Sequence, residues 1–217
     1  MRVKLATGLL LAYLTVLVLT IVMLAWPRES AAAGYIPDNA RSHQRELTRL
    51  VQQEFGLGGP VALHAAQVHQ ESGWRSQVRS SAGAEGLAQF MPSTSAWIAE
   101  IFPELGAVQP YSERWALRAM VRYNRWHHQR IAAATQCDRW AMTLSAYNGG
   151  LGWLRRDRRL AAAAGADASV WFENVELYTP RADWARVENR HYVRRITMVL
   201  QQRYSRAGWQ GGGVCQR

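Results

Sequence analysis

Glu71-Ser72-Gly73-Trp74, followed after a short polar connection by Ser80-Ser81-Ala82-Gly83-Ala84-Glu85-Gly86-Leu87-Ala88-Gln89-Phe90-Met91-Pro92, is the stretch that decides how this chain folds. Upstream, Pro60 opens a helix that Val61, Leu63, Ala65, Ala66 and Val68 build as far as Glu71, and Gly73 ends it. Downstream, Pro92, Ser93 and Thr94 start the next helix through Trp97, Ile98 and Ile101. Between the two lies a loop in which Gly83 and Gly86 let the backbone pass close to a ligand.

Helical periodicity continues in both directions. Leu47, Leu50, Val51 and Phe55 share a face of a helix that Gly56-Leu57-Gly58-Gly59 terminates. Ser112 caps a long helix running from Glu113 toward Ala134, and a further one through Trp140, Leu144 and Tyr147 stops at Gly149-Gly150. The last runs from about Asn189 to Arg206 with Val193, Ile196, Val199, Leu200 and Tyr204 inward. No alternating pattern of useful length marks a strand, and no repeat is present. The expected fold class is all-α, with one domain over residues 38–209 and a flexible glycine-rich tail over 210–217.

The first thirty residues are different. Leu5 to Ala25 carries no charge and is flanked by Arg2 and Lys4 on one side and Arg28 on the other. As a helix this segment would span about 31 Å, the thickness of a bilayer core. Residues 1–30 therefore read as a transmembrane signal anchor, with a signal cleaved near Ser30-Ala31-Ala32-Ala33 as the alternative, and residues 31–37 read as a linker. The basic N-terminus should stay cytoplasmic. The domain then stands in the periplasm, held at the inner membrane or released after cleavage. In that oxidising compartment Cys137 and Cys215 can pair across a loop of nearly eighty residues, or both stay free.

Composition narrows the chemistry. The 26 Lys+Arg against 16 Asp+Glu leave a formal charge of +10, almost all of it arginine. That suits an anionic surface such as murein or phospholipid, and no aromatic-basic module points to nucleic acid. His64 and His69 fall on different helix faces, His127 and His128 diverge and read as solvated, and no metal motif or phosphate loop occurs. No cofactor is called for. The run Arg155-Arg156-Asp157-Arg158-Arg159 reads as a solvated face, whereas Trp97, Trp115, Trp126 and Trp140 read as core. Glu71 ends a helix of small apolar residues, so its carboxyl should point into an apolar cleft, where desolvation keeps it protonated as a general acid.

Four motifs in sequence carry a resemblance. They are Glu71-Ser72-Gly73 with Ser80, the run Gly83 to Pro92, Ala146-Tyr147-Asn148-Gly149-Gly150, and Glu188-Asn189-Arg190-His191-Tyr192-Val193. In order and spacing, over roughly residues 60 to 205, they resemble the lytic transglycosylase domain of the soluble lytic transglycosylase type. The resemblance implies a lysozyme-like helical domain acting on the glycan strands of peptidoglycan. It implies Glu71 as the single acid/base, first protonating the bond between N-acetylmuramic acid and N-acetylglucosamine, then accepting a proton from the muramic 6-hydroxyl to leave a 1,6-anhydro end. It also implies substrate-side roles for Ser72, Ser80, Gln89, Tyr147, Asn148 and Glu188, and places Tyr192 near the catalytic carboxyl.

The chain departs from the family pattern at Ala88, where methionine is usual and one wall of the cleft loosens, at Gly149, where alanine is common, and at Asn189, where threonine is common. Two other readings stay open: a hydrolase of the goose-lysozyme kind, which should need an aspartate to hold water, and a non-catalytic murein-binding scaffold. Size and anchoring suit local wall opening, with components of a secretion, conjugation or pilus apparatus as partners.

Overall fold

The computed structural model describes residues 35–211 and 213–215; the anchor and most of the linker expected in the sequence lie outside them. Among the described residues no helix is long and apolar enough to cross a membrane. Among the described residues eight α-helices follow one another: α1 Asp38–Phe55, α2 Val61–Ser72, α3 Pro92–Ile101, α4 Glu113–Arg130, α5 Gln136–Gly149, α6 Leu151–Ala163, α7 Asp183–Arg194 and α8 Gln201–Arg206. A π-helical segment, Arg195–Leu200, joins α7 to α8. The described residues contain no strand; two isolated bridges, Arg79 with Glu85 and Glu85 with Phe90, fold the 75–91 loop onto itself. The all-α expectation holds.

The centre of this arrangement is α2. Every residue from Val61 to Val68 is fully buried, because Ala62, Ala65 and Ala66 leave room for neighbouring helices on all sides. The π segment, α8 and α1 pack directly on it. Gly73 closes α2 in the left-handed region (φ 59°), and Trp74 follows with φ 65°. Trp74 stays in that costly conformation because its surroundings fix it. Its indole N–H donates to the Tyr204 hydroxyl at 2.6 Å, its carbonyl accepts from Asn39 Nδ2 at 2.5 Å, and its ring stacks on His43. The end of α2 is thereby pinned, and with it Glu71.

Several boundaries differ from the sequence reading. Helix α4 stops at Arg130 rather than near Ala134, because Ile131 turns extended and buries its side chain. The final helical run begins at Asp183, not Asn189, and Val199 faces solvent. Helix α6 went unforeseen because its outer face is arginine. Arg155, Arg156 and Arg159 are exposed, but Asp157 between them is completely buried. Asp157 Oδ2 takes Arg190 at 3.1 Å and Arg181 at 3.2 Å, and its other oxygen accepts from the Thr179 hydroxyl. Arg190 also donates to the carbonyl of Glu176 and to Asn189 Oδ1. One buried carboxylate thus ties α6, the 175–181 segment and α7 together.

Two described residues of the expected tail, Gln210 and Cys215, are tied to the domain. The Gln210 carbonyl accepts from the Ala62 amide, and Cys215 is buried and disulfide-bonded to Cys137, with Cα atoms 4.8 Å apart.

The paired histidines are not solvated either. His127 is buried against Tyr123 and Trp126, and His128 packs on Trp140 and Phe55, where His64 joins from α2. Diverging side chains escape solvent here because other helices cover both directions. Burial lowers all three from the usual 6.5, His64 and His128 to about 4 and His127 to about 3. A depressed folded-state pKa means that the unfolded chain binds the proton first. Stability is therefore intact above about pH 6.5 and falls progressively on acidification toward 4. Urea midpoints measured from pH 7 to 4 should drop across this window, and a His64→Phe, His128→Phe variant should flatten the slope.

Candidate active site

Glu71 sits in the last turn of α2, where unsatisfied carbonyls gather and an anion is disfavoured. The residue keeps an opening to the cleft, but protein surrounds the carboxyl so closely that desolvation pushes it up to about 8. The Tyr192 hydroxyl, donating to Oε1 at 2.5 Å, pulls in the opposite direction, and the nearby Glu188 charge adds a smaller upward push. The result is a carboxyl protonated at neutral pH yet already provided with a donor for its anionic form.

That donor is held from behind. Gln67 Nε2 donates to the Tyr192 oxygen at 3.2 Å, and Asn124 Nδ2 donates to Gln67 Oε1 at 2.6 Å. All three residues are buried. Because an amide nitrogen can only donate, the Tyr192 proton is directed at Glu71 Oε1, which leaves Oε2 to carry a proton into the cleft. Sequence reasoning missed Gln67 and Asn124. The available signal was Gln67 itself, a polar residue four positions before Glu71 and so on the same face of the helix.

Removing the hydroxyl should be legible in a pH profile. Tyr192→Phe takes away stabilisation of the anion, so the alkaline limb of activity moves up by about one pH unit while kcat falls. Gln67→Leu should move the limb the same way by less, since the hydroxyl remains but its orientation is lost. An unshifted limb in both would show that the chain of donors only packs the core.

A pocket of about 290 Å³ opens beside the carboxyl, lined by Glu71, Gln89, Tyr147 and Asn148 together with Phe90, Met91, Thr94, Tyr123, Gly149 and Gly150. Gln89 adopts φ 49° and spends its amide hydrogens on the Gly86 and Val78 carbonyls, so its side-chain oxygen is left to accept. Tyr147 donates to the Ala88 carbonyl at 2.7 Å and packs against Phe90 and Tyr123. Asn148 is exposed, with its oxygen held by Asn189 Nδ2 at 2.7 Å. Asn189 in turn exchanges hydrogen bonds with Ser145. A Cβ at Gly149 would overlap the Arg181 guanidinium and lie 3.1 Å from Asn189 Nδ2. Gly149 and Asn189, two departures from the family pattern, are therefore one packing solution.

Two expected cleft residues lie elsewhere. Ser72 is buried with its hydroxyl turned toward the Val68 carbonyl, and does not line the pocket. Ser80 braces the loop by accepting from the Ala84 amide at 2.9 Å. Gly86 faces protein rather than ligand, since a Cβ there would overlap the Pro110 carbonyl oxygen. Glu188 is exposed on α7 and lines an adjoining groove. No aspartate lines either hollow: the Asp138 carboxylate accepts from the Thr135 hydroxyl and the Trp171 amide, and Asp157 holds the arginine cluster. Among the described residues no three His, Cys, Asp or Glu side chains converge as a metal cluster would require.

Residues 58–170, more than half of the chain, match the family described as the Transglycosylase SLT domain. The chain belongs to that family. Within the match lie Glu71, Gln89, Tyr147 and Asn148, whereas Glu188 and Tyr192 fall beyond it; the hydrogen bond from Tyr192 to Glu71 puts the tyrosine where the resemblance implies. The chain is 32% identical over 141 residues to the membrane-bound lytic murein transglycosylase F of Marinobacter nauticus. It is 31% identical over 157 residues to the membrane-bound lytic murein transglycosylase F 2 of Alkalilimnicola ehrlichii. These alignments cover 64% and 67% of this chain but 26% and 33% of those proteins, so the SLT chain spans about a quarter to a third of their length. The 70 kDa soluble lytic transglycosylase of Escherichia coli superposes with a TM-score of 0.54 at 19% identity, covering 82% of this chain and 31% of that one. That likeness shows a shared fold for the SLT domain.

Proposed function

We propose that this SLT domain protein is a peptidoglycan lytic transglycosylase that cleaves the β-1,4 bond between N-acetylmuramic acid and N-acetylglucosamine and leaves a 1,6-anhydromuramic end. The observation that carries the reading is the state of Glu71: a carboxyl raised to about 8 by burial, open to a cleft, with Tyr192 donating to one oxygen. Glu71 Oε2–H gives its proton to the glycosidic oxygen as the C1–O4 bond breaks. The muramic 6-hydroxyl then attacks C1, the C1–O6 bond forms, and its proton returns to the carboxylate. No water is consumed. Tyr192 stabilises the intervening anion, which is why a high-pKa acid can also serve as base. Gln89 Oε1 and the Asn148 amide offer partners to hydroxyl and acetamido groups of the strand.

Full-length protein should solubilise murein sacculi, and mass spectrometry should find product ends one water lighter than hydrolytic ends. Reducing ends would establish a hydrolase of the goose-lysozyme kind, with the Glu188 carboxylate as the nearby second acid. An inactive wild type would leave a murein-binding scaffold.

The names of the relatives, the uncharged segment from Leu5 to Ala25 and the Cys137–Cys215 bond together support anchoring at the inner membrane with the domain in the periplasm. Local wall opening for a secretion, conjugation or pilus apparatus is the role that fits a tethered domain of this size.

A further inference from the structure

A second groove, of about 610 Å³, adjoins the Glu71 pocket and shares Asn148 and Gly149 with it. Two tryptophans line it, Trp153 in the first turn of α6 and Trp184 in the first turn of α7. Trp184 is 73% exposed and Trp153 36%. Large indoles left in water beside a catalytic pocket mark a surface built to be covered. Trp153 is held in place: Arg156 lies 4.7 Å and Arg181 5.7 Å from its ring centre. Arg181 also lines the groove, with its guanidinium buried and paired to Asp157, which it shares with Arg190. What the groove offers is flat apolar surface with the Asn148 amide and the Glu188 carboxylate beside it.

That combination fits the apolar face and hydroxyl rim of a pyranose. It fits a stem peptide less well, because the peptide's carboxylates would meet the exposed Glu188 while the Arg181 guanidinium lies buried and engaged by Asp157. We propose that Trp153 and Trp184 form a saccharide subsite that grips an N-acetylhexosamine ring of the strand beyond the ring pair at Glu71. The assignment rests on the glycan-cleaving reading for its place along the strand, while the stacking itself can be tested without turnover. Neither tryptophan belongs to the motifs that carry the family resemblance. The groove is formed by two helix starts, those of α6 and α7.

The test uses full-length protein carrying Glu71→Gln, titrated calorimetrically with N-acetylchitohexaose. Adding Trp184→Ala or Trp153→Ala should weaken hexaose binding about tenfold, equivalent to ~1.4 kcal/mol. Trp184→Phe should recover most of the loss, because a flat ring is restored. Val187→Ala, a neighbouring exposed apolar residue outside the groove, should change nothing. Absence of hexaose binding by the parent, unchanged affinity in both alanine variants, or an equal loss in Val187→Ala would overturn the subsite. The proposed reaction is read separately, from murein turnover by protein with Glu71 intact. Tryptophan-dependent binding without turnover would remove the reaction and keep the subsite, and turnover with tryptophan-independent binding would do the reverse.

Discussion

Glu71→Gln in the full-length chain loses nearly all murein solubilisation, a drop of about 10³-fold or more, because the amide can neither give nor take the proton. The fold does not suffer. Glutamine still accepts from Tyr192, and the substitution removes a group whose burial penalises its charged form. The sign follows from the raised pKa. In the unfolded chain Glu71 ionises at about 4.5, and in the folded protein at about 8, so stability is fully present below the first value and is lost as pH rises through the second. At about pH 9 the Glu71→Gln protein should therefore melt at or above the wild-type temperature while remaining inactive. Dye release from labelled sacculi measures the first effect and differential scanning calorimetry the second. A Glu71→Gln protein that retained about a tenth of wild-type activity would remove Glu71 from the chemistry. Wild-type activity should also decline on the alkaline side as pH passes about 8, since only the acid form can start the reaction.

Cys215→Ser costs about 4 kcal/mol of unfolding free energy. The bond to Cys137 closes a separation of 78 residues, and releasing it restores that much chain entropy to the unfolded state in the loop-closure account. For a domain of this size the melting temperature should fall by on the order of 10 °C. Adding a reductant to wild type should reproduce the loss, and adding it to the Cys215→Ser protein should do nothing. Equal melting temperatures with and without reductant would show that the bond contributes no stability. The substitution reaches the site indirectly, since Cys137 lies at the start of α5 and Tyr147 and Asn148 at its end. Activity should persist at low temperature and vanish earlier on heating.

Helix positions were largely legible because their signals are local. Gly73, Pro92, Ser112 and Gly150 each end or begin a helix through backbone geometry or capping that depends on nearest neighbours. The same reasoning failed wherever a charged residue is buried. Helix α6 and the start of α7 were lost among arginines, and Asp157 was read with a solvated face because its partners Arg181 and Arg190 lie 24 and 33 residues away in sequence. His127 and His128 were misread for the same reason: a helix face reads as polar until another helix covers it. In the site, the motifs located Glu71, Gln89, Tyr147, Asn148 and Tyr192, but not that Ser72 turns inward or that Gly86 serves the loop.

From residues alone followed the all-α class, the family resemblance and the choice of Glu71 as the proposed proton donor, since each rests on spacing along one chain. The fold alone decided which oxygen of Glu71 accepts from Tyr192, that Gln67 and Asn124 aim that hydroxyl, and that Trp153 and Trp184 share a groove. The hydrogen bonds join positions 57 to 125 residues apart, and no local preference of the backbone encodes them. Those of Gln67 exist because residues 61–68 of α2 are buried on every side, so the Gln67 amide meets Asn124 of α4 and Tyr192 of α7 instead of water.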